Sequence, residues 1–271
     1  MIDFVDRSKY GLYDLVELIS LLRSPDGCPW DREQTHDSIS RNFLEEVYEY
    51  LEAAEEDDAE HMREELGDVL TQVLFHSDIE RDRGRFDIDD VADAEVRKLL
   101  LRHPHVFGNV RVSGSDQVLD NWDAIKRIEK KQDTVADAMD SVCKVLPSLW
   151  RAEKIQKKAA KAGFDWDELS GAMDKLEEEL GELRDAVDAK SAEGRVEEEL
   201  GDLLFSAVNA ARFLGVDPEQ ALHRACDKFV SRFAAVEKMA SDSGMDLKNM
   251  TLAEMDRLWD KAKDAEASVA R

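Results

Sequence analysis

The sequence predicts an all-α protein built as two tandem, homologous helical-bundle domains. Three observations predict this. Apolar residues recur at helical spacing along nearly the whole chain, and no alternating strand pattern of useful length interrupts them. The composition, 43% hydrophobic and 37% charged with 13 Gly and 5 Pro in 271 residues, can bury a core and favours helix over strand. The chain also repeats itself, with five echoes in the same order.

The periodicity predicts helices over 10–23, 38–56, 60–83, 87–103, 116–131, 134–162, 167–189, 192–214, 217–240 and 251–266. Gly and Pro break the pattern at "SPDGCPWD", "RHPHVFGN", "KAGFDWD" and "LGVDPEQ". Pro147 is expected to kink or split the helix around it, because its ring removes a donor and crowds the preceding turn.

The repeat begins with Gly27-Cys-Pro-Trp30-Asp31, echoed by Gly163-Phe-Asp-Trp166-Asp167. "FLEEVYEYLEAAEED" (43–57) then matches "LEEELGELRDAVDAK" (176–190), and "REELGDVLTQVLF" matches "EEELGDLLFSAVN". "RKLLLRHPHVF" (97–107) parallels "DKFVSRFAAVE" (227–237), each with Lys-x-x-x-Arg, and "NWDAIKRIEK" (121–130) parallels "LWDKAKDAEA" (258–267). Chance does not readily keep five echoes in order. The reading is a first domain over 1–131, a joint over 132–152 and a second domain over 153–271.

Carboxylates dominate the repeated helices. The first helix of each copy carries Glu-Glu-x-x-Glu: Glu45, Glu46 and Glu49, then Glu178, Glu179 and Glu182. The next carries Glu-x-x-Asp: Glu65 and Asp68, then Glu199 and Asp202. Residues three apart share a helical face, and a short connection makes the two helices pack antiparallel. Four carboxylates then converge. Such a cluster repels itself and is costly to desolvate. The flanking Leu66, Val69, Leu70 and Val73, and Leu200, Leu203 and Leu204, place it near a core. Oxygen ligands without His or Cys suit Mg²⁺ or Mn²⁺. Gly67 and Gly201 cost roughly 1 kcal/mol each inside a helix, which close helix approach or room for a ligand would explain. One Glu-Glu-x-x-Glu alone would read as a solvated face; the repeat and the second motif reverse that reading.

The net charge of −25 argues against nucleic acid and anionic membranes as partners. Three widely spaced cysteines, an N-terminus unlike a signal peptide and no apolar run of about 18 residues point to a reducing cytoplasm. A di-iron bundle would need Glu-x-x-His from two helices, and that spacing occurs only at Glu33 and His36, outside the acidic helices. No Ser-His-Asp pattern, Walker loop or Rossmann fingerprint is visible. Lys154, Lys157, Lys158 and Lys161 after Arg151 read as a solvated helix face.

These motifs, with "GCPWDREQTH", "GRFD", "LRHPHVFG" and "GFDW", resemble the MazG-type nucleoside triphosphate pyrophosphohydrolases of the all-alpha NTP pyrophosphatase superfamily, over nearly the whole chain. The resemblance implies Mg²⁺-dependent cleavage of NTPs or dNTPs to the monophosphate and pyrophosphate, by a cytoplasmic homodimer with its site between helices and near the dimer contact. It assigns Glu179, Glu182, Glu199 and Asp202 as magnesium ligands and Lys175 as a nucleotide-binding lysine. It assigns Lys228 and Arg232 to the phosphates and Trp259 to the nucleotide. Without it, Lys228 and Arg232 would read as surface ion pairs and Trp259 as core packing. Glu178 would bind a further metal or orient water, or simply face solvent. The first copy keeps Glu46, Glu49, Glu65, Asp68, Lys98, Arg102 and Trp122, but Asn42 stands where Lys175 stands in the second. The chemistry is therefore expected in the second copy, with the first as a candidate metal site. The alternatives are a non-catalytic regulatory protein that binds Mg²⁺ and nucleotide, and a purely structural bundle.

Overall fold

The computed structural model describes residues 4–129, 132–190 and 192–269. The chain divides into two compact units, Met1–Lys126 and Arg127–Arg271. Regular structure among the described residues is entirely helical, as the periodicity requires.

The first unit comprises α1 (Leu12–Arg23), α2 (Pro29–Glu33), α3 (His36–Glu55), α4 (Ala59–Asp82), α5 (Ile88–Arg102), α6 (Pro104–Phe107) and most of α7 (Ser115–Glu129). Its centre is the α3–α4 hairpin, with α1 packed on α4. Thr35 caps α3 by accepting from the Ser38 amide, and Asp58 caps α4 by accepting from Glu60 and His61. Between them Asp57 takes a left-handed conformation, φ 56°, which turns the chain within three residues. The core is Ile19 from α1, Ile39 from α3, and Leu74, Phe75 and Ile79 from α4. α2 and α6 lie in segments read as breaks; each begins with proline, whose fixed φ and missing N–H suit a first helical turn.

The second unit comprises α8 (Val135–Asp140), α9 (Ser148–Lys161), α10 (Leu169–Asp188), α11 (Glu193–Phe213), α12 (Pro218–Asp242), a short 3-10 turn (Leu247–Asn249) and α13 (Leu252–Val269). The helix expected over 134–162 is split: Ser141 ends α8 and Pro147 sits at the N-cap of α9. The α10–α11 hairpin repeats the plan of α3–α4, and Lys190, φ 48°, repeats the left-handed residue of Asp57. α9 packs on α11 as α1 packs on α4, and the buried Gln156 side chain donates to the Phe205 carbonyl at 2.8 Å. α12 and α13 close a second layer over Val236, Ala240 and Leu258.

The residues flanking the acids differ from expectation. Leu66, Leu200 and Leu204 are each about half exposed within the chain. The first-unit core begins with Leu70 and continues a turn further along α4. A two-helix hairpin has two broad faces, and the third helix covers only one.

Candidate metal and nucleotide site

In the second unit, Glu179 of α10 and Glu199 and Asp202 of α11 each offer a carboxylate oxygen, and these oxygens lie within 4.8 Å of one another. Glu182, one turn along α10, lies near enough to raise the Glu199 carboxyl but stands outside that close group. Glu179 and Glu199 are buried, whereas Asp202 opens to solvent. Lys175, one turn before Glu179, donates to Glu179 Oε1 at 2.7 Å and to Glu178 Oε1 at 2.8 Å. Those carboxylates push the Lys175 ammonium above its ordinary range, Glu178 foremost. Glu199 is paired with Arg195, one turn before it on α11. Burial pushes the Glu199 carboxyl up; Arg195 opposes this, and Glu182 and Glu179 add to it. The second oxygen of Glu179 is buried with no hydrogen-bond partner.

The first unit assembles Glu46, Glu49 and Glu65 within the same 4.8 Å. Asp68 lies close enough to raise both Glu46 and Glu65, and burial is the largest cause for each. One Glu65 oxygen meets His61 Nε2 at 3.1 Å, and the other is buried without a partner. Asn42 leaves no lysine at the place of Lys175. Arg41 instead bonds the outer glutamate, Glu45, at 2.8 Å on the exposed face.

Both donor sets consist of carboxylates alone, and each contains a buried oxygen that nothing satisfies. An unpaired buried carboxylate oxygen is costly, and a hard divalent cation among carboxylates removes that cost. The residues therefore fit Mg²⁺ or Mn²⁺. Gly67 and Gly201 lie inside these helices, and a Cβ at either would meet nothing within 4 Å. Of the two explanations offered by the sequence, the chain shows open space beside the acids rather than a close helix. In the second unit a shallow groove beside the acids is lined by Glu182, Asp185, Ala186 and Arg195.

Lys228, Arg232 and Trp259 stand on another helix pair. Lys228 is exposed on α12. Arg232 Nε donates to Glu266 Oε2 at 2.8 Å, and its guanidinium lies 5.9 Å from the centre of the Trp259 ring. Trp259 also meets Phe229 at 5.1 Å and covers the apolar cluster under α12 and α13. Arg232 and Trp259 form a cation–aromatic pair, which the described contacts do not join to Glu179, Glu199 or Asp202. Their first-unit counterparts lie likewise on α5 and α7: Lys98 pairs with Glu95, and Trp122 lies 6.0 Å from the His103 ring.

Two residues escaped sequence reasoning: Arg195 and His61, each four before a buried glutamate. The i to i+4 spacing was the available signal. His36 is committed elsewhere, with Nε2 at 2.5 Å from Glu80 and its ring stacked on His76.

Known proteins match this arrangement. A family model described as "MazG nucleotide pyrophosphohydrolase domain" matches twice, over residues 34–107 and 168–236, so each match contains one acidic hairpin. The chain is 44% identical over 250 residues to the nucleoside triphosphate pyrophosphohydrolase/pyrophosphatase MazG of Thermotoga maritima, covering 92% of this chain and 94% of that one. It is 42% identical over 254 residues to the nucleoside triphosphate pyrophosphohydrolase of Escherichia coli K12, covering 93% and 97%. An uncharacterized Bacillus subtilis protein, YabN, is 47% identical over 249 residues, which are 92% of this chain and 51% of that one. With both hairpins matched and relatives aligned along almost their full length, this chain belongs to the MazG nucleotide pyrophosphohydrolase family.

Proposed function

We propose that this protein hydrolyses nucleoside and deoxynucleoside triphosphates between the α and β phosphates, releasing the monophosphate and pyrophosphate, with the chemistry in the second unit. One observation carries the reading: a buried, unpartnered oxygen of Glu179 in a cluster with Glu199 and Asp202, with Lys175 bonded to the same carboxylate. The activity for which the Thermotoga and Escherichia relatives are named supports it.

Glu179, Glu182, Glu199 and Asp202 would hold Mg²⁺, with Mn²⁺ as a substitute. When bound, the cation offsets the triphosphate's charge, polarises the α-phosphoryl group and acidifies a water. Lys175 reaches Glu178 as well as Glu179 and sits where it can turn from them to a phosphate oxygen. Glu178, largely open to solvent, is placed to orient the attacking water. Lys228 and Arg232 take the departing pyrophosphate, and Trp259 meets the nucleoside. A second copy of the chain brings these groups to the carboxylates. The exposed Leu200, Leu204 and Phe205 of α11 and Phe229, Val230 and Phe233 of α12 are the apolar surface such a homodimer would cover. Placement and charge stabilisation then carry the rate. The role is nucleotide-pool housekeeping in the cytoplasm.

The test is a panel of NTPs and dNTPs incubated with Mg²⁺ or with chelator, with products resolved. Monophosphate plus pyrophosphate, formed only with metal, is expected. Asp202→Asn and Glu182→Gln should each abolish turnover with the helical content unchanged. Diphosphate plus orthophosphate, or full activity in these variants, would refute the assignment.

A further inference from the structure

We propose that the two carboxylate clusters take their cations on different terms. The Glu46–Glu49–Glu65 cluster of the first unit binds a divalent ion without nucleotide, and the Glu179–Glu199–Asp202 cluster binds one only together with a triphosphate. This rests on reading both clusters as cation sites. It adds the order in which they fill.

The charge already beside each cluster differs. In the second unit, two full cations stand on the ligands themselves: Lys175 on Glu179 at 2.7 Å, and Arg195 on Glu199. An incoming metal ion must displace them or bind against their repulsion, which at contact range persists even though both cations open partly to solvent. A triphosphate changes this. Its oxygens compete for both basic groups, draw them off the glutamates and bring negative charge to the metal. Metal and nucleotide then enter together.

The first unit lacks both cations. Asn42 stands where Lys175 stands, and Arg41, one residue away, is spent on Glu45 at the exposed face. Where Arg195 stands on Glu199, the first unit has His61 on Glu65, at 3.1 Å. The same side of the hairpin thus holds Glu46, Glu49, Glu65 and Asp68 with no lysine or arginine on any ligand among the described ion pairs. A second, independent observation points to a ligand: Glu65 is 6% exposed, and its Oε2 has no hydrogen-bond partner. Glu49 from α3 completes the close trio here, whereas Asp202 from α11 completes it in the second unit.

The experiment is Mn²⁺ titration of the full chain, followed by calorimetry and by the paramagnetic signal of free Mn²⁺, with and without a non-hydrolysable triphosphate. One Mn²⁺ per chain is expected without nucleotide. Glu65→Gln and Glu46→Gln should each remove it, and Glu199→Gln should keep it. A second Mn²⁺ should appear only with the triphosphate and vanish in Glu199→Gln. The double variant Asn42→Lys with His61→Arg, which installs the second unit's cations without deleting a ligand, should weaken the nucleotide-free site about tenfold or more. Nucleotide-free binding that survives Glu65→Gln but is lost in Glu199→Gln overturns the proposal. So does equal binding by both units, or none. If the second ion enters with the analogue while an ordinary triphosphate, incubated in parallel, gives no product, the proposed hydrolysis fails and this inference stands.

Discussion

In the first unit Arg23, at the end of α1, donates to Asp78 on α4 at 2.9 Å and to the Asp31 carbonyl at 3.0 Å. In the second, Arg212 at the end of α11 donates to Asp165 at 2.9 Å. Asp78 and Arg212 occupy equivalent places, thirteen residues after Glu65 and Glu199. Arg23 links Asp78 to the Asp31 carbonyl of the Gly-x-x-Trp-Asp loop, whereas Asp165 within the second loop meets Arg212 directly, so the acidic helix carries the acid in one unit and the base in the other. The loop's position survives while the polarity of the pin reverses. The same freedom appears at the acid clusters, where the carboxylates are retained and the neighbouring cations are not. Duplication has kept the carboxylate scaffold and changed the field around it.

The largest effect that could break this comparison is on stability. Arg23 and Asp78 are both 6% exposed at the side chain, and burial raises the Asp78 carboxyl even against Arg81 and Arg23. Arg23→Ala leaves that buried carboxylate with Arg81 as its remaining cation and should cost about 3 kcal/mol. The Arg212–Asp165 pair is nearer solvent, so Arg212→Ala should cost about 2 kcal/mol. Urea unfolding of the two variants measures both. Equal losses would mean the two pins do not differ in weight.

Catalysis sharpens the comparison next. Lys175→Asn, which gives the second unit the first unit's residue, should lower kcat/KM about 10²-fold. The reciprocal Asn42→Lys should leave steady-state turnover of a triphosphate nearly unchanged, because the lysine would stand in the unit proposed not to carry the chemistry. A large gain from Asn42→Lys would show the first unit to be one lysine short of activity.

How much of this was legible follows from the range of each interaction. The hairpins and their carboxylates were legible because i to i+3 spacing is local and the repeat showed it twice. The pinning pairs were not, since Arg23 and Asp78 are 55 residues apart and no periodicity links them. Pro147 announced a break, but the run through Ser141 and Lys144 kept a helical rhythm that hid where α8 stops. Leu200 and Leu204 follow that rhythm too, yet periodicity cannot say what covers a face, and within the chain nothing covers them fully. Lys228, Arg232 and Trp259 took their roles from family resemblance alone. The fold places them on α12 and α13, apart from the acids in the described contacts, so that assignment now depends on a second copy of the chain.

The smallest effect concerns pH. His36 Nε2 donates to the Glu80 carboxylate, which accepts only, and the Nδ1 atoms of His36 and His76 face each other at 2.7 Å, where one ring donates and the other accepts. Arg83 and Arg85 also bond Glu80, and Phe43 tilts against the His76 ring. Burial, then the facing His36, pushes the His76 pKa below its ordinary 6.5. On unfolding, His76 regains the higher value and binds a proton sooner. Its contribution to stability is therefore complete above about 6.5 and is lost as pH falls through the lowered folded value. The second unit has Ala210 at the equivalent position and so no titrating ring there. Urea unfolding of wild type and His76→Gln across this range should show the wild-type advantage shrinking with acid. An advantage that grows with acid would mean the histidine pair holds a proton in the fold, and this source of difference between the units would carry the opposite sign.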